Sequence, residues 1–188
     1  MIVAKIGGKI VDSPDLVGVV GRILEGRSQR IVLIAGGGRT ADLVRDWDRE
    51  LTLPGGDAHW LAIRAMSLQA ELLACRLSCP LSHGFEEVRN LPLCVFDLWD
   101  ELKRDLECLP ETWDFTSDSL AAWAANRLAA QTLLLVKSVG DSTTTVDQAS
   151  ERGWVDPLFA ETAAGLRVEW VNAQNISSAN PSDDGGLR

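Results

Sequence analysis

The sequence of 188 residues has no apolar run long enough to cross a bilayer, which takes about twenty consecutive apolar residues. It is poor in positive charge, with 18 Lys and Arg against 27 Asp and Glu, a net charge of −9 and a pI near 4.7. That balance excludes a broad nucleic-acid or anionic-membrane surface, yet it leaves room for a local cationic pocket around a small anion. A basic start followed by an apolar block is missing, so no secretory signal is expected. The four cysteines, Cys75, Cys79, Cys94 and Cys108, contain no C-x-x-C pair; free thiols and a cytoplasmic location are the expectation. Cys75, Cys79 and His83 share helical spacing but lack a fourth ligand, and Pro80 interrupts them, so no metal site is expected. There is no G-x-S-x-G, and two histidines leave little room for a nucleophile triad. Neither G-x-x-x-x-G-K-[ST] nor G-x-G-x-x-G occurs.

What the chain does have is two short glycine runs, each directly after an apolar strand pattern and before a helical one. The first is Ile2-Val3-Ala4-Lys5-Ile6-Gly7-Gly8-Lys9 and the second Ile31-Val32-Leu33-Ile34-Ala35-Gly36-Gly37-Gly38. A glycine turn between strand and helix lets backbone N–H groups approach an anion, and the helix start adds its positive dipole end. Two such turns, one flanked by Lys5 and Lys9, suggest a phosphate cradle. A bare corner is the competing reading, but three consecutive glycines carry an entropy cost that a corner does not require.

The rest of the pattern alternates. Ser13-Pro14 predicts a helix start, with Leu16, Val19, Val20, Ile23 and Leu24 as its apolar stripe. A helix is expected over 40–51, with Leu43, Val44 and Trp47 on one face, and a long one over 58–77, with Leu61, Ala65, Leu68, Leu72 and Cys75 as its stripe. Strands are expected at 92–96, 132–136 and 166–171. Asp97 is placed to cap a short helix reaching Leu106, and Thr116, Ser117 or Asp118 one reaching Ala130; Pro157 starts a brief helix. Residues 141–154 read as a polar loop and 173–188 as a disordered tail. The alternation predicts a single α/β domain over 1–172: a three-layer αβα sandwich around a mainly parallel sheet.

Two lysines stand at the ends of apolar strands, Lys5 and, in Leu133-Leu134-Leu135-Val136-Lys137, Lys137. Each either snorkels to water or brings its ammonium to the C-terminal edge of the sheet, where open α/β folds bind ligands. Asp118, at a helix start, either serves as an ordinary cap or holds both ammoniums in place.

Lys5-Ile6-Gly7-Gly8, Gly36-Gly37-Gly38 with Thr40-Ala41-Asp42, Thr116-Ser117-Asp118-Ser119-Leu120-Ala121-Ala122, and Leu135-Val136-Lys137-Ser138-Val139-Gly140, in that order, resemble the amino acid kinase superfamily. The resemblance covers residues 2–172. It implies an acceptor-binding half over 1–115, a nucleotide-binding half over 116–172, and ATP with Mg2+ carried mainly on the nucleotide phosphates. It implies that Lys5 and Lys137 stabilise charge and that Asp118 orients them. Gly7, Gly8, Lys9, Ser117, Ser138 and Gly140 would then face phosphate or nucleotide. Gly36, Gly37, Gly38, Arg39, Asp42, Arg45, His59 and Trp60 would face the acceptor.

Gly36–Arg45, Ala58-His59-Trp60-Leu61-Ala62-Ile63-Arg64-Ala65-Met66 and Leu109–Ser119 are similar to archaeal kinases related to aspartokinase, a branch that includes the furanylmethyl phosphate kinase of methanofuran biosynthesis. That likeness implies a small acceptor bearing phosphate, ring and amine, converted from phosphate to diphosphate. Arg39, Arg45 or Lys9 would meet the phosphate, Trp60 would stack on the ring or pack in the core, Asp42 or Asp46 would meet the ammonium, and His59 would be a polar pocket contact or a packed residue. No nucleic acid or membrane partner is expected; a homodimer or higher oligomer is.

The chain departs from the family in its nucleotide half, which is short. Gly140-Asp141 stands where relatives have aspartate-glycine, and residues 141–157 would form the whole adenine-side wall. Two other readings therefore stand beside the kinase: a non-catalytic ligand-binding or regulatory member of the fold, and a scaffold dimer paired through the 58–77 helix.

Overall fold

The structure, a computed structural model, describes residues 1–105 and 109–177. Short apolar stretches bounded by glycine, proline or polar residues are too brief for buried helices and lie in a sheet. In chain order the elements are β1 (Ile2–Ile6), α1 (Gly8–Val11), α2 (Leu16–Leu24), β2 (Ile31–Ala35), α3 (Gly38–Leu51), α4 (Asp57–Leu77), β3 (Leu81–Ser82), α5 (Phe85–Asn90), β4 (Leu93–Phe96), α6 (Trp99–Arg104), α7 (Ser117–Arg127), β5 (Thr132–Lys137), α8 (Val146–Glu151), α9 (Phe159–Thr162), β6 (Val168–Asn172) and α10 (Ala173–Ser177). The strands form one sheet in the order β3-β4-β2-β1-β5-β6, and every pairing is parallel. A parallel sheet must be covered on both faces. Here Val3, Val32, Ile34, Leu133 and Leu135 pack under α7, while Ile2, Ala4, Ile6, Leu33 and Leu134 pack under α2. The αβα sandwich read from the alternation is the observed architecture.

The long helix is turned differently from its predicted stripe. Leu61, Leu68, Leu72 and Cys75 are exposed, and of that set only Ala65 is buried. The inner face is made of small residues and a few large ones, Ala58, Ile63, Met66, Ala70, Leu73 and Ala74. Ile63 and Met66 join the core under α7, and Ala70, Leu73 and Ala74 the core under α2. Leucines at this spacing mark a helix face without saying which way it looks; the alanine face is the one that allows α4 close to α3 and the sheet. On α3, Val44 is buried but Leu43 and Trp47 face out.

Other differences are local. Helix α2 starts at Leu16, not Ser13: the Ser13 hydroxyl accepts from Asp15 N at 3.3 Å and shapes the turn before the helix. The stretch 141–154 contains α8, closed by a capping box between Thr145 and Gln148. Strand β3 and helix α5 were not expected, being too short to show a period. Ala173–Ser177, expected to belong to the tail, is helical and Ala173 is buried; residues 178–188, with Leu106 and Cys108, lie outside the described residues.

Candidate active site

Strand register places the two lysines. Lys5 is paired with Leu135, and paired residues on neighbouring strands point to the same face. Lys137 is two residues beyond Leu135, so both ammoniums emerge on the α7 face, at the C-terminal edge of the sheet. Helix α7 begins there and offers Asp118 in its first turn. Lys5 Nζ lies 2.9 Å from Asp118 Oδ1 and Lys137 Nζ 2.7 Å from Oδ2. Lys5 is 4% exposed and Asp118 5%. Charges this buried persist only when paired. Asp118 alone ion-pairs both ammoniums, and the Asp156 carboxylate acts on Lys137 only as a weaker, non-contacting charge, so the direct contacts leave one positive charge over for an anion.

The protonation states follow. Burial alone would raise the Asp118 carboxyl, but the charges of Lys5 and Lys137 and their hydrogen bonds outweigh it and hold it below its ordinary value. Burial, helped by the Lys5 charge, pushes Lys137 down to about 8 despite the stabilising Asp118.

Asp156 is a functional candidate that sequence reasoning missed. Its Oδ2 accepts from Thr116 N at 3.1 Å, Thr116 Oγ1 at 2.9 Å and Ser119 N at 3.1 Å, and its Oδ1 accepts from Ser119 Oγ. It thus closes the start of α7 from 37 residues away in sequence. Two residues earlier, the Trp154 carbonyl accepts from Lys137 Nζ. The 154–156 segment therefore fixes both Lys137 and the helix carrying Asp118. An Asp before Pro157 signals only a local turn, and no spacing rule links it to Thr116.

The two glycine turns touch. Strands β1 and β2 are adjacent and in register, Ile6 beside Ala35, so the residues that follow run side by side. A Cβ on Gly8 would overlap the Gly38 backbone, and one on Gly36 would lie 2.8 Å from Gly8 N. Gly38 also has φ of +53°, which glycine adopts without strain. Not every amide is a free donor: Gly7 N donates to Val136 O and Gly36 N to Ile6 O, both at 2.8 Å. The amides of Gly7 and Gly36 are therefore already engaged within the fold. Gly8 and Gly38 begin helices and have no intrahelical acceptor, and Gly37 caps α3.

These parts line one cavity of about 460 Å³. Of the predicted site residues, Lys5, Lys137, Gly7, Gly8, Lys9, Gly36, Gly37, Gly38, Asp42, Arg45, His59, Ser117 and Ser138 line it. Ile63, Met66, Phe115 and Leu120 give it an apolar wall, and Trp113 and Trp154, not among the predicted residues, line it as well. Asp42 accepts from Arg45 at 2.8 Å, and the Arg45 guanidinium lies 4.7 Å from the centre of the Trp113 ring.

Four predicted residues stand elsewhere. The Arg39 side chain is 85% exposed and turned to Asp12. Trp60 lies outside the cavity lining: its Nε1 donates to Glu111 at 2.8 Å, its ring meets Trp99 edge-on, and Lys103 sits over it at 3.2 Å. Alternating helical faces explain this, since His59 and Trp60 are one residue apart and only one can look inward. Gly140 is also outside the lining; at φ of +76° it turns the chain after β5, and its carbonyl accepts from Asn172. Asp46 pairs with Arg49 and does not line the cavity.

No protein-family model matches the sequence. The chain is 27% identical to the [5-(aminomethyl)furan-3-yl]methyl phosphate kinase of Methanocaldococcus jannaschii, over 98% of this chain and 80% of that protein. Its fold is similar to that of uridylate kinase from Archaeoglobus fulgidus, with a TM-score of 0.65, 16% identity, and 95% and 94% of the two chains covered. It is also similar to aspartate kinase from Synechocystis, with a TM-score of 0.66 and 16% identity over 93% of this chain and 38% of that one. Motif order, a relative at 27% identity spanning nearly the whole chain and a fold shared with uridylate and aspartate kinases make this chain similar to the amino acid kinase superfamily in sequence and in fold.

Proposed function

We propose that this small-molecule kinase transfers the γ-phosphoryl group of ATP to the phosphate of an (aminomethyl)furanylmethyl phosphate, giving the diphosphate and ADP. The observation that carries the reading is the buried Lys5–Asp118–Lys137 set, opening into a cavity lined by both glycine turns. An acceptor phosphate oxygen forms the new P–O bond as the bond from the γ-phosphorus to the bridging oxygen of ADP breaks. The reaction asks little covalent chemistry of the protein; it asks for in-line positioning and for positive charge on the equatorial oxygens. Lys5 and Lys137 supply that charge. Asp118 keeps them apart and pointed at one locus, and the amides of Gly8, Gly37 and Gly38 add donors.

The acceptor would lie on the side built by α3, α4 and residues 112–115, with Lys9 as a cation at the mouth and the furan against Ile63, Met66 and Phe115. The nucleotide would lie on the side of Ser138, Val139, Gly153 and Trp154. Among the described residues no three His, Cys, Asp or Glu side chains converge to cage a metal. The leftover charge at Lys5 and Lys137 fits anionic phosphates, so magnesium would arrive on the nucleotide, where it neutralises phosphate oxygens.

The test incubates the chain with ATP, magnesium and the furanylmethyl phosphate, and follows ADP release together with the 31P signal of a diphosphate. Lys5→Ala should lower turnover about 10²–10³-fold, the range for loss of one transition-state charge contact. Absence of nucleotide binding at millimolar ATP would remove the kinase reading and leave a ligand-binding member of the fold.

A further inference from the structure

Among the described residues, one ring nitrogen of the acceptor-side wall meets no protein donor. His59, in the first turn of α4, lines the cavity beside Ala62, Ile63 and Met66 and is 6% exposed. Its Nδ1 lies 3.2 Å from the carbonyl oxygen of Thr112. A carbonyl oxygen only accepts, so Nδ1 carries the hydrogen. Burial lowers the imidazole pKa, against the opposing pull of the Thr112 bond and the Glu111 charge, so the ring is neutral near pH 7. Nε2, on the opposite edge of the ring, is then a bare lone pair. The edge-on Trp60 ring, 5.7 Å away, fixes the imidazole plane, and Trp60 is itself tied to Glu111. Among the described residues no donor reaches Nε2. Left dry by a bound ligand, such an acceptor costs about 1–3 kcal/mol.

The geometry points to His59 Nε2 as the atom that reads an N–H donor, an ammonium group, at the end of the acceptor remote from its phosphate. The inference rests on the acceptor side of the proposed function. The phosphate has to lie against Lys5 for transfer, whereas His59 belongs to the wall made by α4 and the Thr112 segment. A cationic donor suits this corner, where the Glu111 carboxylate acts on the ring more strongly than the Lys103 ammonium. The ligand class is therefore a zwitterionic phosphate monoester: phosphate at the glycine turns, an apolar ring between, and an amine on His59.

The chain has only two histidines, so 15N-histidine NMR reads this one directly. The expected spectrum shows His59 neutral and protonated at Nδ1. The [5-(aminomethyl)furan-3-yl]methyl phosphate should move the Nε2 resonance, and the analogue with methyl in place of aminomethyl should leave it. In turnover, the wild-type chain should prefer the amine over the methyl analogue by about 5- to 150-fold in kcat/KM, the equivalent of that one hydrogen bond. His59→Phe should erase the preference while still processing the methyl analogue, and His59→Gln, which returns an acceptor oxygen, should restore part of it. A hydrogen on Nε2, equal shifts with both phosphates or no shift with either, or equal losses on both substrates in His59→Phe, would overturn the inference. If neither phosphate releases ADP, the kinase reading fails on its own, and the NMR titration still decides the role of His59.

Discussion

Replacing Asp118 with Asn tests the charge logic of the site without changing its shape. In the native site one buried carboxylate separates two ammoniums, at 2.9 and 2.7 Å from its two oxygens. Asparagine offers an acceptor to one lysine and an NH2 donor to the other, so one ammonium loses its only carboxylate contact. The two ammoniums then repel with less compensation; unit charges about 4 Å apart interact by about 4 kcal/mol at an effective dielectric of about 20. An uncompensated buried charge typically costs about 3–5 kcal/mol, which for a chain of this size lowers Tm by about 6–20 °C. Turnover should fall about 10²–10³-fold.

The pH dependence carries a sign that simple misfolding does not share. Lys137 titrates near 8 in the folded chain, and about 10.4 is its value when unfolded. Between those values the unfolded chain binds more protons, so native stability rises with pH there. In Asp118→Asn the folded value drops further, so the rise starts lower and is larger. The stability gap between variant and native protein should therefore narrow from pH 7 to pH 9. Adding Lys137→Met removes the orphaned charge and should recover stability but not turnover. The assay is urea or thermal unfolding at several pH values, paired with ADP release. A gap independent of pH, or a turnover loss under tenfold, would refute the reasoning.

Gly8→Ala forces a methyl into the Gly38 backbone and should cost about 1–3 kcal/mol along with most activity. Gly21→Ala, on α2 with open space around it, should stabilise by about 0.5–1 kcal/mol; thermal unfolding of the pair separates contact from propensity, and equal effects would contradict the touching turns. Asp156→Ala removes the carboxylate that closes α7 and should cost about 2 kcal/mol, with kcat falling more than KM changes because Asp118 loses its fixed position. In a pH series, kcat/KM should fall tenfold per unit above about 8 as Lys137 loses its proton; a profile flat to pH 10 would remove Lys137 from the mechanism.

Residues whose placement is set by short-range signals are legible in the sequence. The glycine runs, the lysines ending apolar strands and the acidic helix start each carry a short-range signature, and the αβα class follows from alternation alone. What failed was anything set by facing. The leucines of α4 have the right period and the wrong side, because period fixes a face only relative to itself. The sequence leaves His59 and Trp60 each as an acceptor contact or a packed residue; a helix turns about 100° per residue, and only His59 lines the cavity. Arg39 has a charge suited to phosphate, but it follows a left-handed Gly38 and its side chain is turned to Asp12.

Asp156 shows why the remaining part was out of reach. The lysines and Asp118 converge because β5 lies beside β1 rather than at the sheet edge, and strand order is not written in any single strand. With that order known, the rest is constrained: Lys5 opposite Leu135 fixes Lys137 on the same face, and α7 has to cross that face to cover Val3, Ile34 and Leu135. Its first turn, with several N–H groups lacking intrahelical acceptors, then needs an anion in the interior. Asp118 cannot fill that need while its two oxygens are engaged by ammoniums. The helix start therefore requires a second carboxylate from elsewhere in the chain, and the turn before α9 is where the fold delivers Asp156. A site built this way ties the position of its charges to the packing of 154–156, which is why loss of Asp156 should register in kcat as well as in stability.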